Sequence, residues 1–452
     1  MEKFNVIIAG GGLAGPLLAN GLLEAGVQVD VYEKLKANAK RDGYSIRVAQ
    51  PCLTAFRKFL SEDQCATIVS KLGSFEGGKE TTPIWYDHNM KPLIDMQRVT
   101  AQYDGSAPMD RVVLRDILME RPLSEGIVHF DKSFSRYEII SKDSRESVRV
   151  FFEDGTSADC DVLIAADGSH SKVNQQIGLD NIVQVPVINF ITKVKLSRAK
   201  YDLLPAAARR RPIICFSHKM TYFCVAYTPK SKSGTDASSG KSTNTKIDID
   251  ETAATFTFSL LMLKSECPED IKEWTLEKKW SFLSEAISTW DNTFLQVIDV
   301  LKDVELYIFE PRASKRPAMD WRSSAKSASV PTAGHPRVWL LGDAMHVMLP
   351  NRGMGGNQAM LDTTFIAPLL KRLNKSAEAR GHVSTAEVAA ACQEYEREMI
   401  PRAFEWVELS GGTKAVPFDT NTYIGQLTCL MFRLSLDVRD RWNAVCRAIG
   451  MQ

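Results

Sequence analysis

Apolar and polar positions alternate in two distinct rhythms along these 452 residues. At the start, Val6-Ile7-Ile8-Ala9 is a short uninterrupted apolar run, the pattern of a strand buried on both faces of a parallel sheet. Pro16 to Ala25 then reads as a helix with Gly26 as its stop, and Val27–Val31 as a second strand. Apolar strands that run into Gly- and Asp-containing turns return at Cys160–Ala166 and at Val338–Leu341. From Asn181 to about Phe309 the rhythm changes. Pro186–Ile191, Ile213–Phe216, Tyr222–Tyr227 and Thr255–Met262 are rich in β-branched and aromatic residues, which predicts an antiparallel sheet with a helix near Leu276–Trp290. Pro229–Lys246 has no large apolar side chain to bury and predicts a loop. Ile424–Phe432, soon followed by Arg433, predicts an amphipathic C-terminal helix packed on the core or a partner, with a weak membrane contact as the sharper alternative. No internal repeat is visible.

The turns between these elements carry the chemistry. The first strand enters Gly10-Gly11-Gly12-Leu13-Ala14-Gly15, which fits G-x-G-x-x-G at Gly10, Gly12 and Gly15. Glycines there permit a tight turn and close approach to a pyrophosphate, which then sits on a helix N-terminus. Glu33 follows the second strand, where an acid can accept hydrogen bonds from an adenosine ribose. Strand, glycines, helix, strand and acid fall in the order of a dinucleotide site. A second segment narrows the cofactor. Val338–Leu341 runs into Gly342-Asp343, and Leu349-Pro350-Asn351-Arg352-Gly353-Met354-Gly355-Gly356-Asn357 opens a further helix, with Asp362 beyond. The carboxylate can hold a sugar-like hydroxyl, and the N–H groups of Gly355, Gly356 and Asn357 can face an electron-rich carbonyl. An isoalloxazine gains negative charge near N1 and C2=O on reduction, so such a helix start suits a flavin. A third turn, Asp167-Gly168 with Ser169 and Ser171, is by itself an ordinary one.

Together the three motifs resemble those of the class A flavoprotein monooxygenases, the para-hydroxybenzoate hydroxylase-like family, over roughly residues 4–60, 108–175 and 305–410. The resemblance implies an α/β fold: a Rossmann-like FAD-binding domain with a parallel sheet, interleaved with an antiparallel-sheet substrate domain and followed by C-terminal helices. On this reading 1–180 is the first part of the FAD domain, with a substrate-side segment inserted at about 75–105. Residues 181–309 mainly bind substrate, 310–375 complete the FAD domain, and 376–452 are C-terminal helices. The implied FAD contacts are Gly10, Gly12, Leu13, Ala14, Gly15, Glu33, Lys34, Arg47, Arg111, Asp167, Gly342, Asp343, Pro350, Gly353, Gly355, Gly356 and Asn357. Met109–Leu118 looks like the family's helix whose first arginine reaches FAD, hence Arg111. Arg41–Val48 resembles the strand after the ribose-binding acid, and Tyr395-Glu396-Arg397 the packing motif of a C-terminal helix. Two departures stand out. Lys172 and Asn174 occupy a stretch that in the family usually ends in an arginine linked to FAD and nicotinamide contacts. Residues 322–336, after Trp321, look like an insertion.

The implied activity uses FAD, NADPH or NADH, and O2 to insert one oxygen atom, by way of a flavin C4a-hydroperoxide. The substrate class is a hydrophobic, aromatic or polyketide-like small molecule, hydroxylated or epoxidised in specialised metabolite biosynthesis. Ring hydroxylation calls for a base, or a cation that stabilises a phenolate, facing the flavin from the sheet. His218, Tyr222, Tyr227 and Arg210 are the candidates, although each equally suits packing, and Arg209–Arg211 a solvated turn. His346 reads as structural. A flavin reductase or oxidase without oxygen insertion, a catalytically silent flavoprotein and an NAD-binding regulatory protein stay open. No Trp-x-Trp-x-Ile-Pro is present, which weakens a halogenase reading.

Composition trims the remainder. The length is large for one core and suits two interleaved domains. Hydrophobic content of 44% and charged content of 25% are ordinary for a soluble protein, and a net charge of +1 gives no reason to expect nucleic acid. Nine cysteines without a C-x-x-C pair and seven scattered histidines predict no metal site and reduced thiols in the cytoplasm. No secretory leader is expected, and no apolar run reaches transmembrane length. Monomer and homodimer are both compatible.

Overall fold

The computed structural model describes residues 3–39, 45–73, 82–99, 106–142, 145–227, 254–326, 332–414 and 418–448. The loop expected at 229–246, and parts of the segments expected at 41–48, 75–105 and 322–336, lie outside them. The chain divides into two units. The first joins Met1–Ile68, Met109–Pro186 and Glu310–Ala415; the second joins Val69–Pro108, Val187–Phe309 and Val416–Gln452.

The first unit contains β1 (Asn5–Ala9), α1 (Ala14–Glu24), β2 (Gln28–Tyr32), β3 (Ser45–Val48), α2 (Arg111–Ser124), β4 (Val128–His129), β5 (Val162–Ala165), α3 (Lys172–Gln176), β6 (Val338–Leu340), α4 (Gly355–Arg380) and α5 (Thr385–Leu409). Five strands form a parallel sheet in the order β6-β5-β1-β2-β4. The apolar runs lie at its centre, and every residue of β5 and β6 is buried, as expected of strands covered on both faces. Buried Asn20 of α1 donates through Nδ2 to the Leu118 carbonyl of α2 and to the Pro16 carbonyl, which ties α1 to α2, while its Oδ1 has no partner among the described residues. α5 opens on a capping box between Ser384 and Glu387. Its Tyr395 hydroxyl donates to the Leu340 carbonyl at 3.0 Å, and its ring stacks on Trp339, which fastens α5 to β6. Its Glu396 pairs with Arg322, whose guanidinium also donates to the carbonyls of Gly334, His335 and Val338. The described ends of the 322–336 segment are thus held by one arginine.

Register decides where the site lies. Ala9 pairs with Ala165 and Tyr32, and Ala165 with Leu340. The segments after β1, β2, β5 and β6 therefore emerge side by side at the carboxyl edge, where open α/β sheets bind ligands.

The second unit is built on a seven-stranded sheet in the order 307–309, 187–196, 254–263, 220–227, 213–217, 84–86, 92–95. Its pairs are antiparallel except 213–217 with 84–86. All four expected strands are present, with ends no more than five residues from those expected. The helix expected near Leu276–Trp290 runs over Leu276–Ala286, and a further helix, Asn292–Leu301, follows beyond the expected end, capped by Asp291 through the Thr293 N–H. Phe190, Tyr222, Phe256, Phe258 and Leu260 on one sheet face pack with Trp280, Leu283, Phe294 and Val297 of these helices. The chain's last helix is α6 (Tyr423–Ala448). No helix among the described residues is long and apolar enough to cross a membrane. All nine cysteines are free thiols.

Candidate functional site

The three glycines after β1 have separate physical reasons. Gly10 has φ +123°, and a Cβ there would stand 2.2 Å from the Ala166 carbonyl oxygen; one at Gly15 would stand 2.1 Å from the Gly10 oxygen. Both are demanded by the chain's own backbone. A Cβ at Gly12 would meet nothing closer than Arg111 Nη2 at 3.8 Å, so that position leaves space. α1 begins after Leu13 with no side-chain cap, and its first intrahelical bond is Leu17 N to the Leu13 carbonyl, so the N–H groups of Ala14 and Gly15 have no acceptor within the helix. Glu33 is 8% exposed; its Oε2 accepts from Gly11 N at 2.7 Å and its Oε1 from Leu35 N at 2.9 Å. Lys34 beside it is exposed.

Across the edge, β5 leads into Asp167. Its Oδ1 is buried with no hydrogen-bond partner among the described residues, and burial pushes its carboxyl up. Gly168 follows at φ +83° with nothing within 4 Å of a built Cβ. β6 leads into Gly342, in the left-handed region at φ +61° and close-packed on Ala359, and then Asp343. Asp343 is open to solvent by surface area, yet desolvation pushes its carboxyl up, against the pull of His346 and Arg111. Pro350–Arg352 forms a single tight turn, bound to the end of α5 through Asn351 Nδ2 on the Ser410 carbonyl and Arg352 Nε on the Leu409 carbonyl. Gly353 is left-handed at φ +63° against Arg47. α4 then starts with no side-chain cap, and its first intrahelical bond is Gln358 N to the Met354 carbonyl. The N–H groups of Gly355, Gly356 and Asn357 therefore have no acceptor within the helix.

Several buried side chains hold this edge together; Arg115 had no expected role, and the supporting roles of Asp362, Asn357 and Asn174 were not foreseen. Arg115, 5% exposed, donates from Nε to the Gly11 carbonyl at 2.6 Å; its place four residues after Arg111 was the available signal. Asp362, wholly buried in α4, accepts from Gly342 N at 3.1 Å, His346 Nε2 at 2.8 Å and Arg402 Nη2 at 2.7 Å. Burial alone would raise its carboxyl, but His346 and Arg402 hold it below the usual aspartate value. His346 is thus a support under the Gly342-Asp343 turn, in keeping with the structural role expected of it. Asn357 Nδ2 donates to the carbonyls of Arg47 and Gly353, while its Oδ1 accepts from Ala49 N and the Cys52 thiol. Asn174 is 1% exposed, and its Nδ2 donates to Asn181 Oδ1 and the Ala344 carbonyl. It ties α3 to the turn after β6, so its departure from the family pattern has a structural account and gives no support to a silent flavoprotein.

The donor set fits FAD. Two uncapped helix starts suit a pyrophosphate and a ring edge that becomes negative. Glu33, the orphaned Asp167 oxygen and open Asp343 are acceptors suited to hydroxyl donors, and Gly12, Gly168 and Gly356 leave room. All seventeen expected cofactor residues belong to the first unit.

The four expected catalytic residues belong to the second. Tyr222 is a correction: it is fully buried, edge-on to Phe258 and Phe294 at 5.3 and 4.9 Å, and burial pushes its phenol well up. It fills the core. His218 sits at φ +50° in the turn of the 213–227 hairpin, pinned by Asp419 Oδ1 on its N–H and by Ser217 and Asn421 on its ring. Tyr227 ends its strand opposite Thr255, and its side chain lies outside the described residues. Arg210 is exposed at the end of the short helix Ala206–Arg210, which replaces the expected turn, and neighbouring Arg211 makes a two-point pair with Asp95. Polar groups that the sequence did not single out stand on the sheet face opposite the helices. Ser259 Oγ donates to Asn189 Oδ1 at 2.6 Å, which leaves Asn189 Nδ2 and Thr257 Oγ1 buried and partnerless among the described residues.

Comparison with known proteins agrees with this geometry. The family described as FAD binding domain matches residues 3–239 and 306–394. The FAD-dependent monooxygenase thnD of Trichoderma harzianum is 26% identical over 428 residues, covering 90% of this chain and 92% of the relative. The FAD-dependent monooxygenase cctM of Talaromyces islandicus is 25% identical over 417 residues, with 90% of each chain covered. The crystal structure of Klebsiella pneumoniae HpxO with FAD and uric acid superposes with a TM-score of 0.63 at 20% identity, over 90% of this chain and 87% of that one, a likeness of fold.

Proposed function

Because this chain belongs to the FAD-binding-domain family, whose match spans most of its length, we propose that it is an FAD-dependent monooxygenase acting on a hydrophobic, aromatic or polyketide-like small molecule. Bound there, FAD would supply the redox chemistry that links NADPH or NADH and O2 to oxygenation of the substrate. The residues do the holding. N–H groups at the start of α1 would hold the pyrophosphate, Glu33 would accept from the ribose, and Asp343 and Asp167 would accept from further hydroxyls. The uncapped start of α4 would suit a ring edge that turns negative on reduction, which would favour the reduced state. Asp362, through Gly342 and His346, keeps Asp343 and α4 in one piece.

The observation that carries the reading is the convergence, at the carboxyl edge of one parallel sheet, of two uncapped helix starts with an orphaned carboxylate oxygen. For the substrate, Asn189 Nδ2 and Thr257 Oγ1 are donors with no other use, suited to a carbonyl or phenolic oxygen. Arg210 and Tyr227 stay as candidate contacts. Two fungal relatives named as FAD-dependent monooxygenases support hydroxylation or epoxidation in specialised biosynthesis, and free thiols fit a cytoplasmic enzyme. The test is anaerobic bleaching of the flavin absorbance by NADPH or NADH, alone and with phenols, polyketide aromatics or indoles. Reduction accelerated by one ligand class, followed on aeration by a product carrying one added oxygen, is expected. Rapid reduction without any oxygenated product would make it a reductase, and no reduction with any ligand would sink the proposal.

A further inference from the structure

The register of the seven-stranded sheet sets a distance between its two unmet polar groups. Asn189 pairs with Leu261 and Lys193 with Thr257, so Thr257 stands four residues along the strands from Asn189, on the same sheet face. At about 3.4 Å per residue, their backbones are roughly 14 Å apart. Ser259 lies between them, opposite Ile191, and its Oγ donates to Asn189 Oδ1 at 2.6 Å. The Asn189 side chain therefore leans along the face towards Thr257. Asn189 Nδ2 and Thr257 Oγ1, both unpartnered among the described residues, are then on the order of 10 Å apart.

The stretch between them offers no other hydrogen bond. Ser259 has spent its hydroxyl on Asn189, and Ile191 and Phe223 stand opposite it on the two neighbouring strands, with Val225 opposite Thr257. Phe223 and Val225 pack together on this face. The pattern is a polar end, an apolar middle and a second polar end. Asn189 is 1% exposed and Thr257 6%, so bulk water does not serve either group, and an unmet buried polar group is costly until a partner meets it. Two oxygens on one benzene ring lie much closer together than these two groups. We propose that this face selects a rod-shaped molecule about two or three rings long, with an oxygen function near each end and an apolar middle, over a single-ring phenol. The inference rests on the reading of this sheet face as the substrate's, and adds to it a length and a spacing of oxygens.

The test is isothermal titration calorimetry of the FAD-loaded full chain, without reductant, against 4,4′-dihydroxybiphenyl, 4-hydroxybiphenyl and hydroquinone. The first is expected to bind about tenfold tighter than the second, which has the same apolar body and one oxygen fewer. Asn189→Ala and Thr257→Val should each erase that advantage, and Thr257→Ser, which keeps the hydroxyl, should retain it. Circular dichroism checks that each variant folds. Hydroquinone should bind more weakly than either biphenyl. Equal affinity of the parent protein for the two biphenyls overturns the proposal, as does an advantage that survives both substitutions. No turnover enters these measurements, so the two readings fail separately. A chain that binds the rod in this pattern but never yields an oxygenated product sinks the monooxygenase reading alone. One that oxygenates phenols but prefers hydroquinone sinks the rod alone.

Discussion

At the carboxyl edge of the parallel sheet, the first unit leaves polar groups unused in the turns that follow its strands: Asp167 Oδ1, Asp343 and the starts of α1 and α4. The seven-stranded sheet of the second unit leaves its unused groups on a strand face instead, at Asn189 and Thr257, while its other face is packed with aromatic rings. Turn positions recur at fixed spacing because the backbone there allows few residues. A strand face alternates with the core at every residue, and its chemistry depends on which neighbours are paired across it. The first kind of site serves a common cofactor and the second can vary with substrate.

The largest expected effect tests the support beneath the cofactor edge. Asp362→Ala should destabilise the protein by about 3–5 kcal/mol, because Arg402 and His346 lose a buried counter-charge, and should release FAD on gel filtration. The support is present at neutral pH. It fades as pH falls through the depressed value of Asp362, since the folded carboxyl must then be protonated. Retention of FAD with an unchanged Tm would remove Asp362 from this role.

Next come the glycines. Gly10→Ala should cost about 3 kcal/mol or more from its φ and its clash with Ala166. Gly12→Ala should change apoprotein stability by less than about 0.5 kcal/mol yet weaken FAD at least about tenfold. Chemical denaturation and flavin fluorescence separate the two, and equal losses of stability would erase the distinction.

A smaller effect compares the two faces of the second sheet. Thr257→Val and Tyr222→Phe each delete a buried hydroxyl that has no oxygen or nitrogen partner among the described residues, so both should leave stability within about 1 kcal/mol of the parent. Thr257→Val should lower kcat/KM by about tenfold, near 1.4 kcal/mol, and Tyr222→Phe should not. The reverse ranking would restore Tyr222 as a catalytic group.

The smallest effect is a matter of sign. Burial raises Asp167, so its ionisation costs the apoprotein stability as pH climbs from the ordinary aspartate value to the folded one. Asp167→Asn should raise the apoprotein Tm at neutral pH. The gain should vanish below about pH 3.9, where both states are protonated, while FAD affinity falls. A lower Tm at neutral pH would mean that the fold already satisfies this carboxylate.

The parallel half was legible because buried strands are short apolar runs and because Gly10 and Gly15 are imposed by the chain itself. The supports were not. Arg115 meets a carbonyl 104 residues away, and Asp362 meets Arg402 40 residues on from another helix; neither pair leaves a local pattern. Tyr222 could have been read better. Met220, Tyr222, Cys224 and Ala226 share a face by alternation, with Phe223 and Val225 on the other, and a tyrosine among such partners is a core residue. Which helices cover that face depends on residues 276–301, and no spacing within the strand reports it.

One amide has a consequence for anyone recombining this protein with its relatives. Asn357 grips the carbonyls of Arg47 and Gly353 and the Ala49 N–H together, across about three hundred residues of chain. A chimera with a crossover between positions 60 and 350 would inherit the strand from one parent and the helix start from the other. Such a hybrid would keep every motif intact and still mis-seat the ring. Crossovers that carry 45–52 and 353–357 from the same parent are the ones that should stay yellow.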